Sequence, residues 1–302
     1  MDDSAVLSLK QRFEVHYDPA LVDKPAELTE RLTAARAVIV RNRTRVSAEL
    51  LEKAPLLTCV GRLGVGLDNI DLDACQNRSV TVFPATGANN LSVAEYVITT
   101  AMALHRKAYH STREVILGNW PRQACAGSEF SGSVLGLIGY GLIARETAAL
   151  ANKLGVRAIG FDPLIDKNSE EWASTGRREL DELLREADTV SLHVPLTPST
   201  RNMIGEREIA LMKPNAVLIN SSRGGVVDES ALIRALRSGK IGGVALDVFE
   251  NEPLTAGDAA KFAGVPNLIL TPHVAGVTEQ SNVRVSAMIA EKISTHLSEA
   301  HV

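Results

Sequence analysis

This 302-residue sequence has few cysteines, no long hydrophobic run and no large excess of charge of one sign. The three cysteines are odd in number and widely spaced, so they indicate neither a disulfide framework nor a zinc site. No apolar run approaches the roughly 18 residues that a membrane-spanning helix requires. A net charge of −4 at pH 7 argues against broad, charge-driven binding to nucleic acid. We therefore expect no membrane, nucleic-acid or metal partner.

The amino terminus and the composition indicate a globular, cytoplasmic protein. Residues 1–3 contain two aspartates and no basic residue, and no long apolar stretch follows, so a secretory signal is not expected. With 45% hydrophobic and 23% charged residues, the chain can bury a sizeable core. Its length suits one large domain or two domains of medium size.

Short apolar segments alternate with helical segments along nearly the whole chain. This alternation is typical of an α/β protein in which helices cover a mostly parallel sheet. Six strands that begin at Val134 would complete a doubly wound sheet. The longer predicted helices span 92–113, 142–154 and 278–297. The predicted strands are 13–17, 37–41, 56–60, 80–83, 134–138, 157–161, 189–193, 216–220, 244–248 and 268–270.

A glycine-rich turn follows the predicted strand 134–138 and opens the next helix. Gly139 permits the tight turn, Gly141 lets a pyrophosphate approach the backbone, and Ala144 allows helix and strand to pack closely. This Gly-x-Gly-x-x-Ala pattern is a form of the dinucleotide-binding fingerprint. Asp162 ends the next strand, where its carboxylate can bind the adenosine ribose and repel a 2′-phosphate. The pattern therefore predicts a Rossmann fold that prefers NAD to NADP.

Three later strands each end in a polar segment with one chemically capable side chain, namely Arg223, Glu252 or His273. Arginine can bind a carboxylate through two parallel hydrogen bonds, and histidine exchanges protons near neutral pH. A neighbouring carboxylate raises the pKa of an imidazole and keeps it protonated for carbonyl reduction. Each residue also has another interpretation. Arg223 could bind a phosphate, Glu252 could be a solvated acid, and His273 could be a structural histidine.

These residues and several motifs closely resemble the D-isomer-specific 2-hydroxyacid dehydrogenases. The similarity extends over nearly the whole chain, and Glu252 separates it from the formate dehydrogenase branch, which has glutamine there. One departure lies at the start, since family members usually place a strand before the first helix. The matching motifs are Gly-Arg-Leu-Gly-Val-Gly-Leu-Asp-Asn at 61–69, Ser-Val-Ala-Glu at 92–95, and the segments 220–228, 247–253 and 271–276.

The resemblance implies hydride transfer between NAD and C2 of a small 2-hydroxy or 2-oxo acid. His273 would act as the acid/base, Glu252 would support it, and Arg223 would bind and polarise the substrate. The implied cofactor-binding residues are Gly139, Gly141, Leu142, Ile143, Asp162, Val194, Ser221, Asp247, His273 and Gly276. The implied substrate contacts are Gly64, Val65, Asn89, Arg41 and Arg223.

The resemblance also implies how the chain is organised. A Rossmann cofactor domain at 88–276 would be inserted into a smaller, flavodoxin-like α/β substrate domain formed by 1–87 and 277–302. The family resemblance further implies a homodimer through the cofactor domain, with 92–113 and 118–132 as contributors.

The sequence leaves the substrate open. Arg41 follows a strand and could bind a second anionic group such as a sulfonate, phosphate or carboxylate. A solvated basic loop with Arg43 and Arg45 is at least as good an interpretation. The stretch 86–96 is similar to a branch that includes sulfolactate dehydrogenases, and also to phosphoglycerate- and hydroxypyruvate-reducing members. An NAD-sensing corepressor of the same fold is the alternative from another functional class.

Overall fold

The computed structural model describes residues 1–299, and the chain divides into two compact units. The smaller unit contains Met1–Asn89 together with the C-terminal segment that starts at Val277, and the larger unit contains Asn90–Gly276. Residues 300–302, which end the predicted substrate domain, lie outside the described residues. Within residues 1–299, no helix has the length and apolar character needed to cross a membrane.

The smaller unit is built on a parallel three-stranded sheet with flanking helices. Its elements in chain order are α1 (Asp3–Lys10), α2 (Pro25–Leu32), β1 (Ala37–Val40), α3 (Ala48–Glu52), β2 (Cys59–Arg62), α4 (Leu72–Asn77), β3 (Thr81–Pro84) and a C-terminal helix (Glu279–Glu299). The strand order is β1-β2-β3. Three helices begin where the side chain of Asp2, Ser47 or Asp71 accepts a hydrogen bond from a backbone amide.

The C-terminal helix packs its apolar face against β2. Ile289 and Ile293 are buried, and a Cβ atom added to Gly61 would lie 2.6 Å from Ile289 Cγ2. The absence of a side chain at Gly61 therefore lets the helix approach the strand closely. This contact joins the two ends of the chain in one hydrophobic core.

The predicted strand at 13–17 is wrong. Phe13 and Val15 pack against the hydrophobic core of the smaller unit, but the segment is not part of a sheet. Strand β1 pairs only with β2 among the described strands. The alternating pattern at 13–17 thus reflects partial burial of its apolar side chains without the backbone pairing that a strand requires.

The larger unit is a doubly wound α/β domain. Its elements in chain order are α5 (Asn90–Arg106), α6 (Thr112–Ile116), β4 (Val134–Ile138), α7 (Leu142–Lys153), β5 (Arg157–Phe161), β6 (Gly176–Arg177), α8 (Leu180–Glu186), β7 (Thr189–Leu192), α9 (Glu206–Leu211), β8 (Val217–Asn220), α10 (Glu229–Arg237), β9 (Gly243–Leu246), α11 (Ala256–Ala259) and β10 (Leu268–Leu270). All strands are parallel, in the order β10-β9-β8-β7-β4-β5-β6. The predicted parallel α/β Rossmann architecture is confirmed.

Two details of the larger unit differ from the sequence-based expectation. The sheet has seven strands rather than six, because the two-residue strand β6 pairs with β5 at the sheet edge. The helix predicted at 92–113 ends at Arg106, since Lys107 adopts a left-handed conformation with φ of 55°. A short 3₁₀ turn (Ala108–Ser111) and then α6 follow it. A left-handed residue cannot continue an α-helix, whatever the apolar periodicity beyond it.

Candidate active site

The turn between β4 and α7 lies where the winding of the seven-stranded sheet reverses, since β4 pairs with β5 on one side and with β7 on the other. Gly139 has φ of 83°, and a Cβ atom on it would lie 2.6 Å from the carbonyl oxygen of His193. Gly141 is the N-cap of α7 and makes no side-chain cap, while a Cβ atom on it would meet open space. The backbone N–H groups of Leu142 and Ile143 therefore lie at an uncapped helix N-terminus, a site that favours binding of a phosphate group.

Asp162 follows β5 beside this turn, and backbone amides hold its carboxylate. The Tyr140 N–H donates to Asp162 Oδ2 and the Leu164 N–H donates to Asp162 Oδ1, each over 2.9 Å. A pocket of about 450 Å³ opens next to it, lined by Gly141, Asp162 and Leu164 among others. The carboxylate oxygens still have acceptor capacity toward this pocket, because each can accept more than one hydrogen bond.

The remaining predicted cofactor residues of the larger unit include one unsatisfied polar group. The hydroxyl oxygen of Ser221 is buried and has no hydrogen-bond partner among the described residues. Val194 lies against the turn, since its Cγ1 atom would be 2.8 Å from a Cβ on Gly139. A buried hydroxyl without a partner is costly and suits a ligand that supplies one. The glycine turn, the fixed Asp162 and the Ser221 hydroxyl together fit a dinucleotide.

His273 and Glu252 form a hydrogen-bonded pair after β10 and β9. The distance from His273 Nδ1 to Glu252 Oε2 is 2.6 Å, and the Phe249 N–H donates to the other carboxylate oxygen of Glu252 over 3.0 Å. Both side chains are partly exposed, at 43% for His273 and 33% for Glu252. His273 is thus oriented through Nδ1, which leaves Nε2 as the ring nitrogen available to a substrate.

The pair shifts the pKa values of both partners in opposite directions. The hydrogen bond to Glu252 raises the pKa of His273 above its ordinary value and outweighs the lowering by desolvation. For Glu252, burial raises the pKa, but hydrogen bonds from His273 and the Phe249 amide, with nearby positive charge, bring the net pKa below its ordinary value. The pair therefore favours a protonated imidazole beside an ionised carboxylate.

Asp247 holds the loop that carries His273. Its buried carboxylate accepts hydrogen bonds from the Thr271 hydroxyl (2.6 Å) and from the amides of Val274 and Ala275 (2.8 Å each). The Thr271 hydroxyl oxygen in turn lies 2.7 Å from the hydroxyl of Tyr96, and burial raises the pKa of that phenol to about 12. The described contacts of Asp247 are structural, so its contact with the cofactor stays a prediction.

Arg223 lies in the loop between β8 and α10. The buried Asn220 fixes this loop: its amide donates to the Arg223 carbonyl (2.9 Å), and its oxygen accepts from the Ser222 amide (3.1 Å). A Cβ atom on Gly224 would lie only 1.7 Å from the carbonyl oxygen of Phe249. The loop with Arg223 therefore packs directly on the loop with Glu252. The charge of Arg223 lowers the pKa of both Glu252 and His273, after the larger effects named above, so the structure brings all three residues together.

A second buried carboxylate that the sequence interpretation missed supports the same loop. Glu229 is 3% exposed, accepts a hydrogen bond from the Glu250 amide (2.8 Å) and forms an ion pair with Lys261. It therefore holds the backbone two residues before Glu252. No sequence signal identifies it, because its position just after Asp228 makes it look like an ordinary acid of a helix first turn.

The predicted substrate residues of the smaller unit lie mainly after β1 and β2. Gly64 has φ of 151°, and its amide donates to the Arg62 carbonyl over 2.8 Å, so this amide is already used within the turn. The guanidinium of Arg62, which the sequence interpretation passed over, lies over Gly64, since a Cβ there would be 1.9 Å from Arg62 Nη1. Arg41 is exposed, and its carbonyl accepts a hydrogen bond from the Asn69 side chain (2.8 Å).

Three other residues were predicted to bind the substrate or the cofactor. Val65 is partly buried in the same turn. The side-chain oxygen of Asn89 is buried without a hydrogen-bond partner among residues 1–299. Gly276 is the last residue of the larger unit. Over the described part of the chain, no group of histidine, cysteine, aspartate and glutamate side chains is arranged to hold a metal ion.

Similarity to known proteins identifies the family of this chain. A family model for the D-isomer specific 2-hydroxyacid dehydrogenase NAD-binding domain matches residues 98–275. The chain belongs to this dehydrogenase family. It is 50% identical over 294 residues to the (S)-sulfolactate dehydrogenase of Chromohalobacter salexigens, covering 97% of this chain and 94% of the relative. The hydroxypyruvate reductase of Thermotoga maritima is 35% identical over 98% of this chain and 96% of its own length.

Other relatives extend beyond the length of this dehydrogenase. The D-3-phosphoglycerate dehydrogenase of Methanocaldococcus jannaschii is 38% identical over 97% of this chain, but the match covers 55% of that relative. Among solved structures, the D-lactate dehydrogenase of Aquifex aeolicus, complexed with NAD and lactic acid, is 31% identical with a TM-score of 0.79, covering 90% of this chain and 85% of that one. The predicted family, the NAD cofactor and the oxidoreductase class are therefore confirmed.

Removal of the negative charge of Glu252 should lower the pKa of His273. In Glu252→Gln we expect the pKa of His273 to fall, because the variant loses the carboxylate that raises it. Titration of the histidine ring signals by NMR, with His273→Asn to assign the resonance among the seven histidines, measures this change. Glu250→Gln, an exposed neighbour with the same charge change, is the control and should leave the His273 titration in place. Equal shifts in both variants would show that the pair does not control His273.

Proposed function

We propose that this dehydrogenase interconverts (S)-sulfolactate and 3-sulfopyruvate. The observation that carries this proposal is the 50% identity to a protein named (S)-sulfolactate dehydrogenase, which extends over nearly the whole length of both chains. The phosphoglycerate dehydrogenase relatives are less similar, and the one from M. jannaschii is matched over little more than half its length. The higher identity therefore favours the sulfonate over the phosphate ester.

The stereochemical label of the proposed substrate agrees with the D-isomer specificity of the family. In sulfolactate the CH₂ carbon carries sulfur, which outranks the oxygens of the carboxyl carbon when R and S are assigned. The S form of sulfolactate therefore has the spatial arrangement of D-lactate, which is labelled R because its methyl group ranks below the carboxyl. One binding orientation of the α-hydroxy acid thus serves both compounds.

The larger unit supplies the proposed proton chemistry. When NADH is bound, it supplies the hydride that reduces C2 of the 2-oxo acid. His273, kept protonated by Glu252, donates its proton from Nε2 to the carbonyl oxygen and recovers it in the reverse direction. Arg223 binds the substrate carboxylate and polarises the carbonyl group. Asp162, Ser221 and Asp247 would hold the cofactor.

In this proposal the smaller unit binds the sulfonate, which is the second anionic group of the substrate. We assign residues 1–87 and 277–302, which differ from the smaller unit by two residues at one boundary, as the substrate domain, and 88–276 as the cofactor domain. Arg41 is exposed at the end of β1, and Arg62 ends β2, next in the same sheet. Guanidinium groups bind sulfonate oxygens through directed, charge-assisted hydrogen bonds. Asn89 and the Gly64–Val65 backbone, apart from the Gly64 amide that is used within the turn, are proposed to contact the carboxylate end of the substrate.

A substrate screen with NADH and NADPH tests this assignment. We expect the highest kcat/KM with 3-sulfopyruvate and NADH, and lower values with 3-phosphohydroxypyruvate, hydroxypyruvate, glyoxylate and pyruvate. In Arg41→Ala the KM for 3-sulfopyruvate should rise about tenfold or more, since a charge-assisted hydrogen bond is lost, while the KM for pyruvate should hardly change. Arg43→Ala is the matched control, because Arg43 is already ion-paired with Asp23.

The screen separates the alternatives. Preference for 3-phosphohydroxypyruvate or hydroxypyruvate would contradict the sulfonate assignment but keep the dehydrogenase. Tight NADH binding without turnover of any of these acids would favour the corepressor-like binding protein instead. Equal effects of Arg41→Ala and Arg43→Ala on both substrates would remove Arg41 from the site.

The homodimer and the cytoplasmic location also belong to the proposed function. Large apolar side chains after α5 are unusually exposed, at 70% for Tyr109, 79% for Ile116 and 75% for Trp120. We propose that these side chains form one apolar patch on the cofactor unit, a feature typical of a protein–protein interface. The three cysteines are free, as is usual in the reducing cytoplasm.

Charged substitutions in this patch should separate the subunits. We expect the unaltered protein to have the mass of a dimer by light scattering and the double variant Ile116→Glu/Trp120→Glu that of a monomer, because two charges would be buried in the interface. Leu7→Glu, at a side chain that is 61% exposed in the other unit, is the control and should remain dimeric. A monomeric unaltered protein, or a dimeric double variant, would contradict the proposal.

A further inference from the structure

The pocket next to Asp162 contains an ion pair that the family fingerprint does not include. Its volume is about 450 Å³, and its lining includes one basic side chain, Arg145, and three acidic ones, Asp162, Asp166 and Glu171. All of these residues belong to the larger unit. The Nη2 atom of Arg145 lies 2.6 Å from Glu171 Oε2.

Arg145 is held at three points. Its Nε donates to the carbonyl oxygen of Tyr140 over 3.0 Å, its guanidinium carbon lies 5.6 Å from the centroid of the Tyr140 ring, and its Nη2 pairs with Glu171. Tyr140 is itself the middle residue of the glycine turn. The arginine is therefore fixed directly beside the part of the cofactor site that Asp162 occupies.

The residues on both sides of this ion pair are themselves anchored. The Tyr140 ring stacks on Trp172 with 4.7 Å between centroids, and its hydroxyl donates to Thr175 over 2.5 Å. Trp172, which follows Glu171, is buried, and its indole N–H donates to the Asp166 carbonyl over 3.1 Å. Because this framework holds both partners, little conformational entropy is lost when Arg145 and Glu171 pair.

An arginine at this end of a dinucleotide site would ordinarily favour NADP, since it can bind the 2′-phosphate. Here its Nη2 and Nε groups are engaged by Glu171 and Tyr140. The acids of the pocket also outnumber it three to one. The pocket therefore presents a net negative field to a 2′-phosphate although it contains a well-placed arginine.

We propose that Glu171 is a specificity-determining residue that keeps Arg145 from binding the 2′-phosphate of NADPH. Asp162 repels the phosphate directly, whereas Glu171 acts by pairing with Arg145, the single basic side chain among the described residues that line the pocket. The proposal rests on the proposed function, in which Asp162 holds the cofactor, and it places the adenosine ribose in the pocket beside Asp162. It predicts that cofactor preference depends on an acid that lies outside the glycine turn and outside the strand end of the fingerprint.

Calorimetric dissociation constants for NADH and NADPH test the proposal without turnover. In Glu171→Gln we expect the ratio of the NADPH to the NADH dissociation constant to fall about threefold to fivefold, in line with the strength of a partly exposed ion pair. The dissociation constant for NADH should stay within about twofold, because the ribose hydroxyls still meet Asp162. Glu170→Gln is the matched control, since it removes the same charge one residue away, outside the pocket lining.

A second variant separates release of Arg145 from a general loss of negative charge. In Arg145→Met/Glu171→Gln the gain in NADPH affinity should disappear, because the cation that would bind the phosphate is gone. If the gain persists in the double variant, or if Glu170→Gln produces it equally, the effect is one of net charge and the proposal is wrong. An unchanged ratio in Glu171→Gln also overturns it.

These outcomes are distinct from a failure of the proposed function. Tight NADH binding with an unchanged NADPH ratio in Glu171→Gln would overturn only the role of Glu171. If the pocket does not bind the adenosine part of NADH, the Asp162→Ala variant should have the same dissociation constants for NADH and NADPH as the unaltered protein. That result would overturn the pocket assignment and the role of Glu171 together.

Discussion

The candidate active site depends on the hydrogen bonds that the buried carboxylate of Asp247 accepts. This carboxylate accepts three hydrogen bonds from residues 271–275, and the Asp247 carbonyl accepts a fourth from the His273 amide over 2.8 Å. His273 has a φ of 56°, an unfavourable value for a residue with a side chain. The hydrogen bonds around it offset this cost. They fix the imidazole where Glu252 can reach it.

The same arrangement recurs across the larger unit, where carboxylates are held by backbone amides before any ligand arrives. Asp162 accepts from two amides, Glu252 from the Phe249 amide and Glu229 from the Glu250 amide. A carboxylate fixed in this way needs no reorganisation during binding or proton transfer. The strand ends of the parallel sheet thus supply negative charge at set positions, beside one imidazole and near two arginines.

Local sequence patterns could predict much of this architecture. The Gly139–Ala144 turn and Asp162 obey rules that apply within one strand–turn–helix unit, so one sequence is enough to place them. The strand-end positions of Glu252 and His273 already favoured a carboxylate beside an imidazole, the family resemblance assigned Glu252 as the support of His273, and the structure shows their contact. Their catalytic roles stay predictions.

Features that depend on distant partners could not be predicted. Residues 13–17 have the alternation of a strand, but a strand exists only where a second strand pairs with it. Glu229 meets Lys261, and Arg145 meets Glu171, through the packing of separate loops and helices. Arg62 was passed over because a lone arginine at a strand end has no signal of its own until its guanidinium is seen over Gly64.

The most direct test of the account is the rate of hydride transfer in a His273→Ala variant with 3-sulfopyruvate, measured in a single turnover by the loss of NADH absorbance. We expect the rate to fall about 10²–10⁴-fold, the usual contribution of a general acid, with the dissociation constant for NADH nearly unchanged. A near-normal rate of hydride transfer in this variant would contradict the assignment of His273 as the proton donor and, with it, the mechanism proposed for the larger unit.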